Sequence, residues 1–168
     1  KRDMADHEGE VAIVQVLRWA GADVNQEMDT GATPLYIAAQ QGHEAVVRAL
    51  IEAGADVNKA TDDGVTPLLC AAQKGHEAVV RALIEAGADV NQATNDGVTP
   101  LYIAARKGHE VIVWALMELG ADVNKAMDNG VTPLLIAVHQ GKEAVVRALI
   151  EAGADVSKAY DNGVTPLL

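Results

Sequence analysis

Several features that enzyme chemistry or membrane insertion would need are scarce or missing from this sequence. There is one cysteine, Cys70, so no disulfide can form within the chain, which fits a reducing compartment. There is one serine, Ser157, and no Gly-rich loop ends in Lys-Ser or Lys-Thr. Neither a serine-nucleophile motif nor a phosphate-binding loop can be assembled from these. No apolar run reaches the ~18 residues of a membrane span. The opening Lys1-Arg2-Asp3-Met4 is followed by no apolar signal core, and the first residue is not methionine. The expectation is a fragment or processed chain that works inside the cell, in cytoplasm or nucleus, without membrane insertion. Positive charge is also short: 13 Lys and Arg face 24 Asp and Glu, for a net −11 and a pI near 4.7. Such a surface repels a phosphate backbone, so no nucleic-acid partner is expected, and it favours solubility and a basic partner.

What the sequence has in abundance is repetition. Thr-Pro-Leu starts at Thr33, Thr66, Thr99, Thr132 and Thr165, a constant step of 33 residues. Gly-Ala-Asp-Val recurs at the same step from Gly21, Gly54, Gly87, Gly120 and Gly153. Residues 1–168 therefore read as a single array: a partial repeat 1–25, full repeats 26–58, 59–91, 92–124 and 125–157, and a partial repeat 158–168. Gly42 through Asn58 is identical to Gly75 through Asn91. Such uniformity points to recent duplication or to design, and both stay open.

One repeat explains its own local structure. Asp63-Gly64 is a turn signal, with glycine able to take positive φ. Thr66 caps a helix and Pro67 suits its first position, where a missing N–H costs nothing. Leu68, Ala71 and Ala72 then fall at helical spacing up to Lys74, and Gly75 stops the helix. A second helix spans about Glu77 to Ala86, with Val79, Val80, Leu83 and Ile84 expected inside and Gly87 ending it. Helices this short are marginal alone, so each needs a neighbouring repeat over its apolar face. Glu44, Arg48 and Glu52, like Glu77, Arg81 and Glu85, are spaced four apart as a solvated ladder worth ~0.2–0.5 kcal/mol per pair.

A 33-residue turn–helix–helix unit carrying Thr-Pro-Leu, Ala-Ala, Gly-His and Gly-Ala-Asp-Val-Asn resembles the ankyrin repeat, and the resemblance covers nearly the whole chain. It implies an all-α, ankyrin-repeat solenoid of stacked helix–turn–helix units with β-turn fingers. First helices would line a concave side and second helices a convex back. It also implies a non-catalytic scaffold or adaptor that binds a protein partner through fingers and concave face, with no cofactor. One departure is visible. The family usually has histidine after Thr-Pro-Leu, where this chain has Tyr36, Leu69, Tyr102, Leu135 and Leu168, so a hydrogen bond often made by that histidine is lost in the leucine copies.

Comparing the repeats with one another separates positions that stacking demands from positions it leaves open. Variation falls on the fingers, at Asp29 and Thr30, Asp62 and Asp63, Asn95 and Asp96, Asp128 and Asn129. It falls also on the ends of the first helices, at Gln40 and Gln41, Gln73 and Lys74, Arg106 and Lys107, His139 and Gln140. These are the candidate partner-binding residues; the plainer alternative is drift on a solvated surface. Acidic fingers and basic ends at Lys74, Arg106 and Lys107 would complement a partner with the opposite arrangement. On the back, Trp114 replaces the arginine of Arg48 and Arg81, with Val111, Met117 and Leu119 also changed, and is a candidate contact for a partner or for self-association. Trp19 takes the place of Glu52 and reads as part of an atypical end repeat.

Other chemistry reads weakly. His43, His76 and His109 recur, but zinc needs several donors within about 2.0–2.2 Å of one ion, and helices stacked about 8–10 Å apart keep these histidines separate. They read as helix-start residues, and His7 and His139 have no obvious ligand partners. Asp62-Asp63-Gly64 and Asp128-Asn129-Gly130 lack the spacing and closing glutamate of a calcium loop. Cys70 sits where Ile37 and Ile103 sit and reads as a small buried hydrophobe with no base beside it. Asn25, Asn58, Asn91 and Asn124 follow Asp-Val with a leucine eight residues earlier, similar to the pattern that asparaginyl hydroxylases accept; bonding to the loop backbone is the plainer role. No catalytic, cofactor or metal residue is assigned. The rivals to a binding module are a self-assembling or structural segment, the regulatory part of a longer enzyme or channel, and an engineered binder.

Overall fold

The computed structural model describes residue 12 and residues 21–157. The expectations for His7, Trp19 and the closing partial repeat 158–168 lie outside the described residues. Each complete repeat supplies two short helices. In the unit of residues 1–88 these are α1 (Pro34–Gln41), α2 (Glu44–Glu52), α3 (Pro67–Lys74) and α4 (Glu77–Glu85). In the unit of residues 89–168 they are α5 (Pro100–Lys107), α6 (Glu110–Glu118), α7 (Pro133–His139) and α8 (Glu143–Glu151). Among the described residues there is no β-strand.

The first helix of each repeat is bounded as its sequence dictates. Thr33, Thr66, Thr99 and Thr132 take extended backbone and accept, through Oγ1, from the amide three residues on at 3.1–3.2 Å. Proline follows each as the first helical residue. Gly42, Gly75 and Gly108 close α1, α3 and α5 in the left-handed region. The second helices also close on a left-handed glycine. Gly87 lies one residue past the Ala86 cap at φ +89°, its N–H on the Ile84 carbonyl and the Ala88 N–H on the Leu83 carbonyl. These are the paired bonds of a Schellman motif.

Within each unit the same packing recurs. Helix α1 lies on α2 and α3, α3 on α4, and α2 on α4; α5 lies on α6 and α7, α7 on α8, and α6 on α8. The core is aliphatic and small. Leu35, Leu68, Leu101 and Leu134 of the first helices are buried, as are Val47, Leu83, Leu116 and Leu149 of the second. Burial of one such side chain is worth about 1.5–3 kcal/mol. The buried polar residues found are the four capping threonines, each with its hydroxyl bonded. In α4 the buried set is Val79, Val80, Ala82 and Leu83. Ile84, expected inside, is half-buried, and its equivalent Ile150 is 47% exposed. That position lies at the margin of the stripe that the first helices cover.

Candidate functional site

The fingers are built by backbone before any partner is considered. Gly31 N–H donates to the Met28 carbonyl and Met28 N–H to Ala32, both at 2.9 Å. The glycine takes φ +75°. This is a three-residue turn whose last residue must be left-handed. The same pattern holds at Thr61–Gly64, Thr94–Gly97 and Met127–Gly130. Thr61 and Thr94 brace it by accepting from Val65 and Val98 N–H, and Asn129 does so for Val131. Neighbouring fingers touch: Asp62 N–H donates to the Thr30 carbonyl, and Asp128 N–H to Asp96. The structure thus brings Asp29, Thr30, Asp62 and Asp63 together in one unit, and Asn95, Asp96, Asp128 and Asn129 in the other. All eight are exposed.

The ends of the first helices are exposed too, at Gln41, Gln73, Lys74, Arg106, Lys107, His139 and Gln140. Gln40 departs from expectation. It is half-buried, and its backbone carbonyl accepts from His76 Nε2 at 3.0 Å. His43, His76 and His109 stand at the starts of the second helices, as expected. None of His43, His76 and His109 makes a side-chain cap to its own helix; His76 reaches back to the preceding repeat. Lys142 occupies the equivalent place in α8, with its chain against Gly108.

The loops after the second helices form a second inter-repeat device. Asp23, Asp56, Asp89 and Asp122 each accept from the asparagine N–H two residues later at 2.8–2.9 Å. The asparagines then reach forward. Asn25, Asn91 and Asn124 accept through Oδ1 from Asp56, Asp122 and Asp155 N–H, each at 2.8 Å. Asn91 Nδ2 also donates to the Gly120 carbonyl at 3.1 Å, and Asn25 Nδ2 to Gly54 at 3.5 Å. Ser157, at the asparagine place, donates through its hydroxyl to Asp155.

The Tyr36 hydroxyl lies near the Cys70 thiol, and its pKa is pushed up to about 12, chiefly by burial and then by Cys70. Burial pushes the Cys70 thiol up as well, against the opposing influence of Tyr36 and the Lys74 charge. Cys70 is thus buried as expected but has polar neighbours that the sequence did not reveal. In the other unit Tyr102 packs with Val131 and Leu135. Leu135 fills with hydrocarbon the place of the missing histidine. Trp114 is half-buried and lines a groove between α6 and α8. The ladder on the second helices is also rearranged: Arg48 joins Glu44 at 2.9 Å and Glu85 of the next repeat at 3.1 Å. Both bonds hold the guanidinium proton more firmly.

Among the described residues no three His, Cys, Asp or Glu side chains gather to hold a metal ion, and no helix is long and apolar enough to cross a membrane. A family model described as ankyrin repeats (3 copies) matches residues 3–94 and 91–160. No curated protein matches the chain.

Proposed function

The chain belongs to the ankyrin repeat family, whose repeats are in general protein–protein interaction modules and typically non-catalytic, and from that premise we propose that it is a scaffold or adaptor. It binds a protein partner through the fingers and the ends of the first helices. The observation that carries this reading is a division of labour among positions. Much of what repeats unchanged is buried or bonded within the stack: the capping threonines, the core leucines and the Asp-Val-Asn loops. What varies at the finger tips and at Gln73, Lys74, Arg106 and Lys107 is exposed. Rigid turns and capped helices hold these side chains before a partner arrives, so little ordering entropy is lost on association.

The test is affinity capture by the full chain and by a variant with Gln73, Lys74, Arg106 and Lys107 changed to alanine. Circular dichroism confirms that both are folded. Capture of a protein by the parent and its loss by the variant are expected. Equal capture by both would remove the helix ends from the interface, and a finger variant at Asp62, Asp63, Asp96 and Asp128 would then decide the rest. Concentration-dependent mass of the chain alone, with no other protein captured, would favour a self-assembling segment instead.

A further inference from the structure

The second helices of the two units differ at one charged position, and the difference leaves a groove. In residues 1–88, Arg48 on α2 stands between two carboxylates, Glu44 one turn earlier and Glu85 on α4. The open space beside it, bordered by Ile51 and Ala82, is about 220 Å³. Two repeats later the same carboxylates recur as Glu110 on α6 and Glu151 on α8. The arginine does not recur, because Trp114 takes its place. Among the described residues no lysine or arginine forms an ion pair with Glu110 or Glu151. Arg147, also in the lining, is held by Glu143 one turn back on its own helix. The groove here is about 540 Å³, with Ala144 and Ala148 leaving it open between Trp114 and the three glutamates.

We propose that this groove receives an arginine side chain from a basic segment of a partner protein, its guanidinium between Glu110 and Glu151 and over the face of the Trp114 indole. The internal copy supplies the template, since Arg48 shows what sits between this pair of carboxylates when the chain provides its own cation. Indole is the best of the aromatic faces for a cation, and arginine is the commoner partner for it. A planar guanidinium can address two carboxylates at once, whereas an ammonium is a point charge. Val111, one turn before Trp114 and 44% exposed, offers apolar contact to residues flanking the arginine. A second copy of this chain is a poor occupant, because each carries a net −11. The groove lies on the second helices, so it adds a surface to the one proposed above and does not depend on it.

The probe is a short peptide carrying an arginine pair between glycine and serine spacers, with lysine and citrulline versions as controls. It is titrated into the full chain while the Trp114 indole N–H resonance is followed, assigned by its loss in Trp114→Phe. The arginine peptide should move that resonance saturably and the citrulline peptide should not. Trp114→Arg, which restores the arrangement of α2 and is followed by titration calorimetry because it lacks the indole, should abolish the binding. Glu151→Gln, an exposed change that leaves folding intact, should weaken it by about threefold to tenfold. The four-alanine variant of the helix ends should bind the peptide as the parent does. An unmoved Trp114 resonance, equal binding of the lysine or citrulline peptide, or full binding by Glu151→Gln overturns the proposal. So does a peptide-free rise in mass that Trp114→Arg removes, which would assign the groove to a second copy.

Discussion

At the scale of the residue, identical letters within one repeat do different work depending on what the next repeat places beside them. Gly42 and Gly54 are both left-handed, at φ +79° and +91°. A Cβ on Gly42 would stand 2.7 Å from the His76 ring, whereas one on Gly54 would meet nothing within 4 Å. Either glycine changed to alanine should cost about 1–2 kcal/mol of backbone strain. Gly42→Ala should cost about 1 kcal/mol more, because it displaces His76 from the Gln40 carbonyl. Equal midpoints in chemical denaturation would refute this. Asn91→Ala should lose about 1–2 kcal/mol by stranding the Asp122 N–H and Gly120 carbonyl. Asn91→Ser should restore little of it, since the shorter hydroxyl lacks the Nδ2 donor that reaches the Gly120 carbonyl. Tyr36 carries a pH dependence. Its pKa is about 12 in the folded chain and about 10 when unfolded, so folding favours the neutral phenol. The stability this contributes is complete below about pH 10 and is lost as pH rises toward about 12. Denaturation across that window should show a smaller loss in Tyr36→Phe than in the parent.

At the scale of the element, the short first helices depend on their caps. Each capping threonine is buried, with its hydroxyl bonded three residues ahead. Thr66→Ala should therefore cost about 1–2 kcal/mol, whereas Thr66→Ser should cost less because it keeps the acceptor. Unfolding followed by circular dichroism distinguishes them. These boundaries were legible in the letters, since Thr-Pro opens a helix and glycine closes it for local steric reasons. The ladder on the second helices was legible only as a spacing. Arg48 could face Glu44 or Glu52 along α2, and its actual second partner, Glu85, lies 37 residues away in sequence. Which side chain a stacked neighbour offers depends on the angle between helices, and no four-residue spacing encodes it.

At the scale of the whole molecule, net charge is the governing property. A chain at −11 should associate with a basic partner quickly at low salt, and the association rate should fall about tenfold or more as added salt screens the field. Stopped-flow association at several ionic strengths would read it. A rate independent of salt would assign recognition to apolar contacts. The position of the candidate surface was partly legible: variation among repeats singled out finger tips and helix ends that prove exposed. Gln40 was the exception, because its backbone serves the stack.

Periodicity by itself determined the repeat length, the helix boundaries, the turn at each finger and the acidity of the surface. All of these follow from propensities within one repeat or from composition. Tertiary structure decided the partners of long side chains: His76 on a carbonyl of the previous repeat, Tyr36 on Cys70, Arg48 across to Glu85. It also decided that Trp114 is half-buried and lines a groove with three glutamates. Those outcomes depend on which side chains meet when one repeat is laid on the next, and that meeting is a property of packing between repeats.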